Sequence, residues 1–319
     1  MKWITAAAAC LAALTGLGGV AASTGRQNAP AAAVSKPWLI AHRGASAYAP
    51  ENTVPAFRLA ADQRADFVEF DLQLTKDRQL VCLHDESLER TTDVEEVFPD
   101  RYRTVTGGGG SATRRWPLAD FTLAELRRLD AGSWFGPSFR GTRIPTFAET
   151  IESLRGRSGL FIELKAPEKY EGIERMTLAE LKAKGLDRPG ADPRTPVLLQ
   201  SFTASSLQIL AGLGTKLPLH LLVSARDANQ WLTPEGLTRA KAFATGLSPE
   251  KTIVTDHADG IARARQSGLL ITPYTFRASA VKGFPDVRAE MAHYLDTLGV
   301  DGVITDNPDQ MPARPSTPR

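Results

Sequence analysis

The stretch Phe67–Leu74, which reads Phe-Val-Glu-Phe-Asp-Leu-Gln-Leu, decides the fold class of this chain. An apolar run of this length predicts a buried strand. Further short apolar runs alternate with helical patterns along the chain, at residues 38–41, 80–83, 160–164, 197–200, 217–223, 269–274 and 302–305. This alternation is typical of repeated βα units, and eight such strands predict an α/β fold, the closed (β/α)₈ TIM barrel.

Two features of the pattern concern how the barrel is assembled. Residues 243–247 form a ninth candidate strand, and the sequence leaves open which of the nine lies outside the barrel. Residues 85–143, after the third predicted strand, are too many for an ordinary strand-to-helix loop. We expect them to form a small insertion at the carboxyl end of the barrel, where active sites of this fold lie, and to cover the site rather than fold independently.

The charge balance excludes one broad class of function. The chain has 319 residues, with 38 Lys plus Arg against 36 Asp plus Glu, a formal charge of +2. An obligate nucleic-acid binder usually carries a clear positive excess, so we expect no nucleic-acid partner. With 42% hydrophobic and 23% charged residues, the chain has the composition of a globular protein with a large core.

The N-terminal segment predicts export. Residues 1–22 contain Lys2, an apolar run and a small-residue end, and we expect a signal peptide that is removed after Ala22. A lipid anchor at Cys10 is the weaker alternative. Residues 23–37 form a predicted flexible linker and residues 38–319 the barrel domain. The mature protein is expected in the periplasm or the medium, without stable membrane insertion, and with Cys82 as its only cysteine it forms no internal disulfide.

Carboxylates occur near the ends of two predicted strands. Glu69 and Asp71 are two residues apart, so their side chains point to one face of the strand, about 6.6 Å apart along the backbone. Glu163 has Lys165 two residues further on in the same way. Three carboxylates form an all-oxygen set that suits Ca²⁺ or Mg²⁺ rather than Zn²⁺.

Two of the five histidines also follow apolar strands. His42 lies two residues before Gly44, and His84 lies directly before Asp85. Two imidazoles at one barrel mouth, near three carboxylates, form a plausible general acid and base pair. His220, His257 and His293 have no such neighbours in the sequence, and we expect structural or surface roles for them.

The motifs follow one another in a specific order: His42-Arg43-Gly44-Ala45, Pro50-Glu51-Asn52-Thr53, Glu69-x-Asp71, His84-Asp85, Arg90-Thr91-Thr92, Ile162-Glu163-Leu164-Lys165, Gln200-Ser201-Phe202, Pro273-Tyr274-Thr275 and Gly302-Val303-Ile304-Thr305-Asp306. In order and spacing they resemble the glycerophosphodiester phosphodiesterase family over nearly all of residues 38–309. The segments 93–101 and 273–277 look most like its exported, periplasmic branch.

The resemblance implies hydrolysis of glycerophosphodiesters to sn-glycerol 3-phosphate and an alcohol. It assigns metal binding to Glu69, Asp71 and Glu163, proton transfer to His42 and His84, and phosphate binding to Arg43 and Lys165. Gln200 and Tyr274 are further candidates for substrate contact. A divalent metal is implied, and Ca²⁺ is preferred over Mg²⁺ because an exported protein meets more calcium.

Alternatives remain at three points. A lysophospholipase D would use the same residues but would need an apolar groove, and an exported binding protein would keep the barrel without turnover. The nucleophile is either water or the glycerol hydroxyl adjacent to the ester, and the internal route avoids much of the entropy cost of a second molecule. The headgroup preference and the oligomeric state are open.

Overall fold

The structure is a computed structural model that describes residues 36–106 and 112–313. The predicted signal peptide, Cys10, nearly all of the predicted linker and the glycine run at 107–110 lie outside the described residues. The strands are β1 Trp38–Ala41, β2 Phe67–Leu74, β3 Leu80–Cys82, β4 Arg103–Thr106, β5 Ala112–Arg115, β6 Gly159–Leu164, β7 Val197–Ser201, β8 Leu219–Val223, β9 Gly246–Pro249, β10 Leu270–Ile271 and β11 Gly302–Thr305.

Eleven α-helices connect the strands within the described residues. They are α1 Val54–Asp62, α2 Val94–Val97, α3 Leu123–Leu126, α4 Phe147–Leu154, α5 Ile173–Ala183, α6 Ala204–Gly212, α7 Ala228–Trp231, α8 Pro234–Lys241, α9 Lys251–Asp256, α10 Ala258–Gln266 and α11 Val287–Ala292. The side chains of Thr122 and Thr146 cap α3 and α4 in full capping boxes with Glu125 and Glu149. None of the helices in these ranges is long and apolar enough to cross a membrane.

Eight parallel strands form the barrel, which confirms the predicted fold class. Their order is β10-β9-β8-β7-β6-β2-β1-β11, and all neighbouring pairs are parallel. Backbone hydrogen bonds continue the sheet from β11 to β10 and the chain after it: the amide of Asp301 donates to Ile271 and that of Ile304 to Pro273. Seven crossovers place helices on the outside, as the βα pattern predicts.

The strand that lies outside the barrel is the predicted third one. β3 pairs antiparallel with β2, with Cys82 opposite Leu72 and Leu80 opposite Leu74. The ninth candidate takes the free place as β9, which begins at Gly246 instead of residue 243. Phe243 and Ala244 are buried in the connection before it. The insertion therefore follows the third strand of the chain but lies between the second and third strands of the barrel.

Side-chain alternation along the barrel strands separates two apolar regions from the polar end. Val68, Phe70 and Leu72 of β2 face the surrounding helices in the main core. Phe67 points the other way and packs with Ile40 and Phe161 inside the barrel. Glu69 and Asp71 have the same parity as Phe67, so they occupy the barrel interior above this apolar floor, toward the carboxyl ends of the strands.

The insertion has its own small core. Twelve buried side chains form a separate cluster that joins it to β3, among them Leu88, Val94, Trp116 and Phe121. Its hairpin of β4 and β5 is exposed at every described residue. The insertion is thus anchored by its base and extends the hairpin into solvent.

Candidate active site

The three predicted carboxylates meet inside the barrel mouth. Asp71 and Glu163 are directly opposite each other on the neighbouring strands β2 and β6. One oxygen from each of Glu69, Asp71 and Glu163 lies within 4.8 Å of the other two, and all three side chains are buried. The structure therefore brings together residues that are 94 positions apart in the chain.

Burial makes this cluster electrostatically unbalanced. Desolvation raises the pKa of Glu69 well above its ordinary value, and the charges of Asp71 and Glu163 raise it further. Burial also raises the pKa of Asp71, but the charges of Lys165 and Arg43 outweigh it, and the net shift is downward. Three buried carboxylates repel one another unless positive charge is added. The site therefore favours a cation.

The donor set fits a hard divalent cation. Asp71 Oδ1 and Gln200 Oε1 are buried and have no hydrogen-bond partner among the described residues. Gln200 Nε2 donates to Glu69 Oε1 at 3.4 Å, so its amide lies beside the carboxylates. The three clustered side chains offer only oxygen ligands and no sulfur or imidazole nitrogen. Such a set of oxygens suits Ca²⁺ or Mg²⁺.

The two predicted phosphate-binding cations flank the carboxylates. Lys165 Nζ lies 2.9 Å from Glu163 Oε1 and 3.5 Å from Asp71 Oδ1. Arg43 Nη1 donates to Glu51 at 2.8 Å, and its backbone amide donates to Glu69 Oε2 at 2.8 Å. Both cationic side chains also border the cavity, so an anion that entered it would meet positive charge from two directions.

His42 is oriented by an aspartate from the far end of the chain. Its Nδ1 donates to Asp306 Oδ1 at 2.6 Å. Because a carboxylate only accepts, this bond leaves Nε2 as the free nitrogen of a neutral ring. Burial lowers the pKa of His42 and the charge of Arg43 lowers it further, and these effects exceed the opposing effect of Asp306. His42 is therefore placed to accept a proton at neutral pH.

His84 has an equivalent partner next to it in the chain. Its Nδ1 lies 2.7 Å from Asp85 Oδ1. The hydrogen bond with His84 is the largest of the effects that lower the pKa of Asp85. The turn that carries both residues is held from below by Gln73, whose Nε2 donates to the carbonyls of Leu83 and Asp85 at 2.7 and 2.8 Å.

A cavity of about 140 Å³ lies at the point where these residues converge. Its lining includes all predicted site residues except Asp71, and it comprises His42, Arg43, Glu69, His84, Glu163, Lys165, Gln200, Phe202, Leu222, Tyr274, Thr275, Arg277 and Ile304. Phe202 and Tyr274 stack edge to face at 5.7 Å and form an apolar wall. Phe276, in contrast, is fully buried against Tyr294 and does not reach the cavity.

Several residues that the sequence interpretation passed over take part in the site. Glu51 and Asn52 directly precede Thr53, which is the residue before α1. Asn52, however, donates to Asp71 Oδ2 at 2.8 Å and accepts from the Asp71 amide at 3.1 Å. Asn52 has a positive φ of 57°, a conformation that asparagine tolerates better than most residues.

The other three histidines lie away from the cavity lining. His220 is buried in the barrel floor, 5.3 Å from the ring of Phe161, and burial lowers its pKa to about 3. His257 and His293 are half-buried at helix ends on the outside of the barrel. None of them is a neighbour of His42 or His84 in this cavity.

Comparison with known proteins gives a consistent family match. The profile of the glycerophosphoryl diester phosphodiesterase family matches residues 42–310. A glycerophosphodiester phosphodiesterase of Bacillus subtilis is 34% identical over 278 residues, which cover 85% of this chain and 83% of the relative. One from Caldanaerobacter subterraneus is 32% identical and covers 86% of this chain and 96% of the relative.

Solved structures with the same fold include enzymes of this kind. A phosphodiesterase of Oleispira antarctica, solved in complex with the product sn-glycerol-3-phosphate, superposes with a TM-score of 0.65 at 29% identity, over 86% of this chain and 95% of the other. A glycerophosphodiester phosphodiesterase from Agrobacterium tumefaciens superposes with a TM-score of 0.60 at 26% identity, over 86% and 98%.

Proposed function

This chain belongs to the glycerophosphoryl diester phosphodiesterase family, and from that premise we propose that it hydrolyses glycerophosphodiesters, such as glycerophosphocholine, to sn-glycerol 3-phosphate and an alcohol. The observation that carries the proposal is the convergence of two aspartate-paired histidines with a cluster of three buried carboxylates, two of which line the same small cavity as the histidines. The cavity volume of about 140 Å³ is below the roughly 300–1,000 Å³ of drug-sized pockets. A small polar diester is the substrate class that fits this size.

The cationic residues bind the phosphodiester. Arg43 and Lys165 border the cavity and supply positive charge for the phosphate oxygens, which gather more negative charge in the transition state. Gln200 and Tyr274 lie on other parts of the lining, where they contact the remainder of the substrate. Phe202 stacks edge to face on Tyr274 and gives that side of the cavity an apolar surface.

The histidines move the protons. His42, whose pKa is lowered, accepts the proton of the attacking hydroxyl at Nε2, while Asp306 holds Nδ1. His84 donates a proton to the leaving alkoxide, and Asp85 holds its ring in the same way. Each such transfer contributes about 10²–10⁴-fold to the rate.

A divalent cation held by Glu69, Asp71 and Glu163 would neutralise part of the charge that develops on phosphorus oxygens. We propose Ca²⁺ ahead of Mg²⁺. The three carboxylates come from two different strands and from side chains of two lengths, so their oxygens are irregularly arranged. Ca²⁺ tolerates irregular oxygen geometry better than Mg²⁺ does. Gln200 is positioned to support Glu69 from the side.

We further propose that the glycerol hydroxyl next to the ester is the first nucleophile. Its oxygen bonds to phosphorus as the bond between phosphorus and the headgroup oxygen breaks. His42 takes the proton of the hydroxyl and His84 gives one to the leaving oxygen, so the products are a cyclic phosphate and the neutral headgroup alcohol. In the second step His84 takes a proton from water, whose oxygen bonds to phosphorus while the ring bond formed in the first step breaks. His42 returns its proton to the released glycerol hydroxyl, so the product is sn-glycerol 3-phosphate and both histidines regain their starting protonation. A hydroxyl already held near phosphorus avoids much of the entropy cost of a separate nucleophile.

The test of the proposed function is release of sn-glycerol 3-phosphate from glycerophosphocholine by the purified chain. We expect turnover that is lost in EDTA and restored by Ca²⁺, with weaker restoration by Mg²⁺. Full activity after exhaustive chelation would contradict the metal assignment. Rapid cleavage of a diester with no adjacent hydroxyl would establish direct attack by water instead.

A further inference from the structure

Arg90 belongs to a sequence motif, Arg90-Thr91-Thr92, that the proposed chemistry leaves without a role. It lies in the insertion, is about 43% exposed and is not among the residues that line the cavity. Its guanidinium nevertheless makes four hydrogen bonds to two carboxylates, those of Asp85 and Glu51. Each of these carboxylates in turn contacts a residue of the cavity.

One side of the guanidinium binds the partner of His84. Arg90 Nε and Nη2 donate to the two oxygens of Asp85 at 2.5 and 3.0 Å. Asp85 Oδ1 is also the acceptor for His84 Nδ1. A planar fork that grips both carboxylate oxygens fixes the direction of the carboxylate, and so the plane of the imidazole that binds it.

The other side binds the partner of Arg43. Arg90 Nη1 and Nη2 donate to the two oxygens of Glu51 at 2.9 and 2.7 Å. Glu51 Oε1 also accepts from Arg43 Nη1 at 2.8 Å. The two arginines therefore share one carboxylate, which holds the Arg43 guanidinium in a single orientation at the cavity.

The backbone that carries Arg90 is itself anchored. Thr92 Oγ1 donates to the carbonyl of Leu88 at 2.8 Å and accepts from the amide of Val94 at 3.2 Å. Leu88 and Val94 are fully buried in the core of the insertion. These two hydrogen bonds therefore hold the backbone next to Arg90 against the core of the insertion.

We propose that Arg90 is a positioning residue of the phosphodiesterase reaction, which orients His84 through Asp85 and Arg43 through Glu51. This inference rests on the proposed function. It gives the insertion a task in catalysis that does not depend on covering the site. His42 has a comparable chain of contacts, through Asp306 to Arg277, but Arg277 borders the cavity and Arg90 does not.

The test compares Arg90→Ala with a matched control, Arg103→Ala. Arg103 is also an exposed insertion arginine, and it donates through Nε and Nη2 to both oxygens of one aspartate, Asp120. Removing an outer partner of an active-site group costs about 10–100-fold in activity. We expect a loss of this size for Arg90→Ala, with kcat lowered and KM raised, and wild-type kinetics for Arg103→Ala.

Two readouts separate positioning from loss of structure. Added guanidinium ion should restore part of the activity of Arg90→Ala, and Arg90→Lys should stay impaired because an ammonium cannot grip two carboxylates at once. Asp85→Asn should cost less in the Arg90→Ala background than in the wild type, since both changes break the same contact. If Arg90→Ala does not fold, Arg90→Gln takes its place in the comparison.

The outcomes are distinguishable from failure of the proposed function. No release of sn-glycerol 3-phosphate by the wild type would overturn the function itself. An active wild type with equal kinetics for Arg90→Ala and Arg103→Ala, full activity of Arg90→Lys, or strictly multiplicative losses in the double variant would overturn the role of Arg90 alone.

Discussion

Among single residues, Glu69 is the most direct probe of the carboxylate cluster. Its pKa is raised by burial and by two neighbouring carboxylates, so its charge opposes folding when no cation is present. We expect Glu69→Gln to unfold in EDTA at a temperature equal to or above that of the wild type. Its activity should fall by about 100-fold or more, because a cation contributes several kcal/mol to transition-state stabilisation.

Thermal unfolding with and without Ca²⁺ provides the measurement. Calcium should raise the unfolding temperature of the wild type and leave that of Glu69→Gln nearly unchanged, since a ligand stabilises only the state that binds it. Arg103→Ala serves as the control and should respond as the wild type does. An equal calcium response in Glu69→Gln would contradict the role of this carboxylate.

The lowered pKa of His42 predicts how the reaction rate depends on pH. Burial and the charge of Arg43 lower its pKa, and a base must be unprotonated to act, so the acid limb of kcat/KM should lie below pH 6.5. Asp306 raises the pKa of His42, so Asp306→Asn should move this limb to still lower pH while reducing the rate by about 100-fold or more through the lost ring orientation.

A pH–rate profile of both proteins with glycerophosphocholine measures this effect. A limb that moves to higher pH in Asp306→Asn, or an acid limb above pH 6.5 in the wild type, would show that His42 is not the base. His220→Asn is a suitable companion variant, because His220 lies in the barrel floor and does not border the cavity.

The polar residues after strands show what sequence could reveal about the site. His42 follows β1 and Asp306 follows β11, and the last residues of these strands, Ala41 and Thr305, are register partners. The rule that located His42 would therefore have located Asp306 as well. The contacts of Glu51 with Arg43 and Arg90 have no such signal, because they depend on how two loops fold over the barrel end.

At the scale of elements, the hairpin of β4 and β5 is the part of the insertion most easily removed. All its described residues are exposed, and none of the described cavity lining comes from residues 85–143. We expect a shortened hairpin to keep the wild-type kcat and unfolding temperature. That the insertion covers the site stays a prediction. If it does, shortening the hairpin should change KM, and the change should depend on the size of the headgroup.

Kinetics on glycerophosphoethanolamine, glycerophosphocholine and glycerophosphoinositol would decide this point. A fall in kcat with all three substrates would mean that the hairpin contributes to the chemistry. If the shortened and wild-type proteins have the same KM for each of the three substrates, the hairpin does not cover the site. Arg90 would then be the contribution of the insertion to activity.

The assignment of β3 and β9 marks the limit of prediction at this scale. Both are short apolar runs, and sequence periodicity cannot distinguish them. What separates them is pairing: β3 is close enough in sequence to fold back antiparallel on β2, whereas β9 follows α7 and α8 and so returns parallel to β8. Connection length, rather than composition, contained the information.

For the whole molecule, the size and lining of the cavity at the barrel mouth bear on whether the substrate is a water-soluble diester or a lysophospholipid. An acyl chain would need an extended apolar surface beside the site. The described lining supplies only a short apolar wall, formed by Phe202, Leu222, Tyr274 and Ile304. We therefore expect a water-soluble diester as the substrate, and we propose from residues 1–22 that the chain is exported.

We propose that the residues around this cavity cleave the bond between phosphorus and the oxygen of the headgroup alcohol. Phosphorus-31 NMR of glycerophosphocholine incubated with the purified chain and Ca²⁺ tests it directly. With the wild type, we predict that the diester signal is replaced by that of sn-glycerol 3-phosphate, with a transient signal of the cyclic phosphate. With His42→Ala or His84→Ala, the diester signal should persist. Formation of phosphocholine would contradict cleavage at the headgroup bond, and unchanged conversion by either variant would contradict proton transfer by the two histidines.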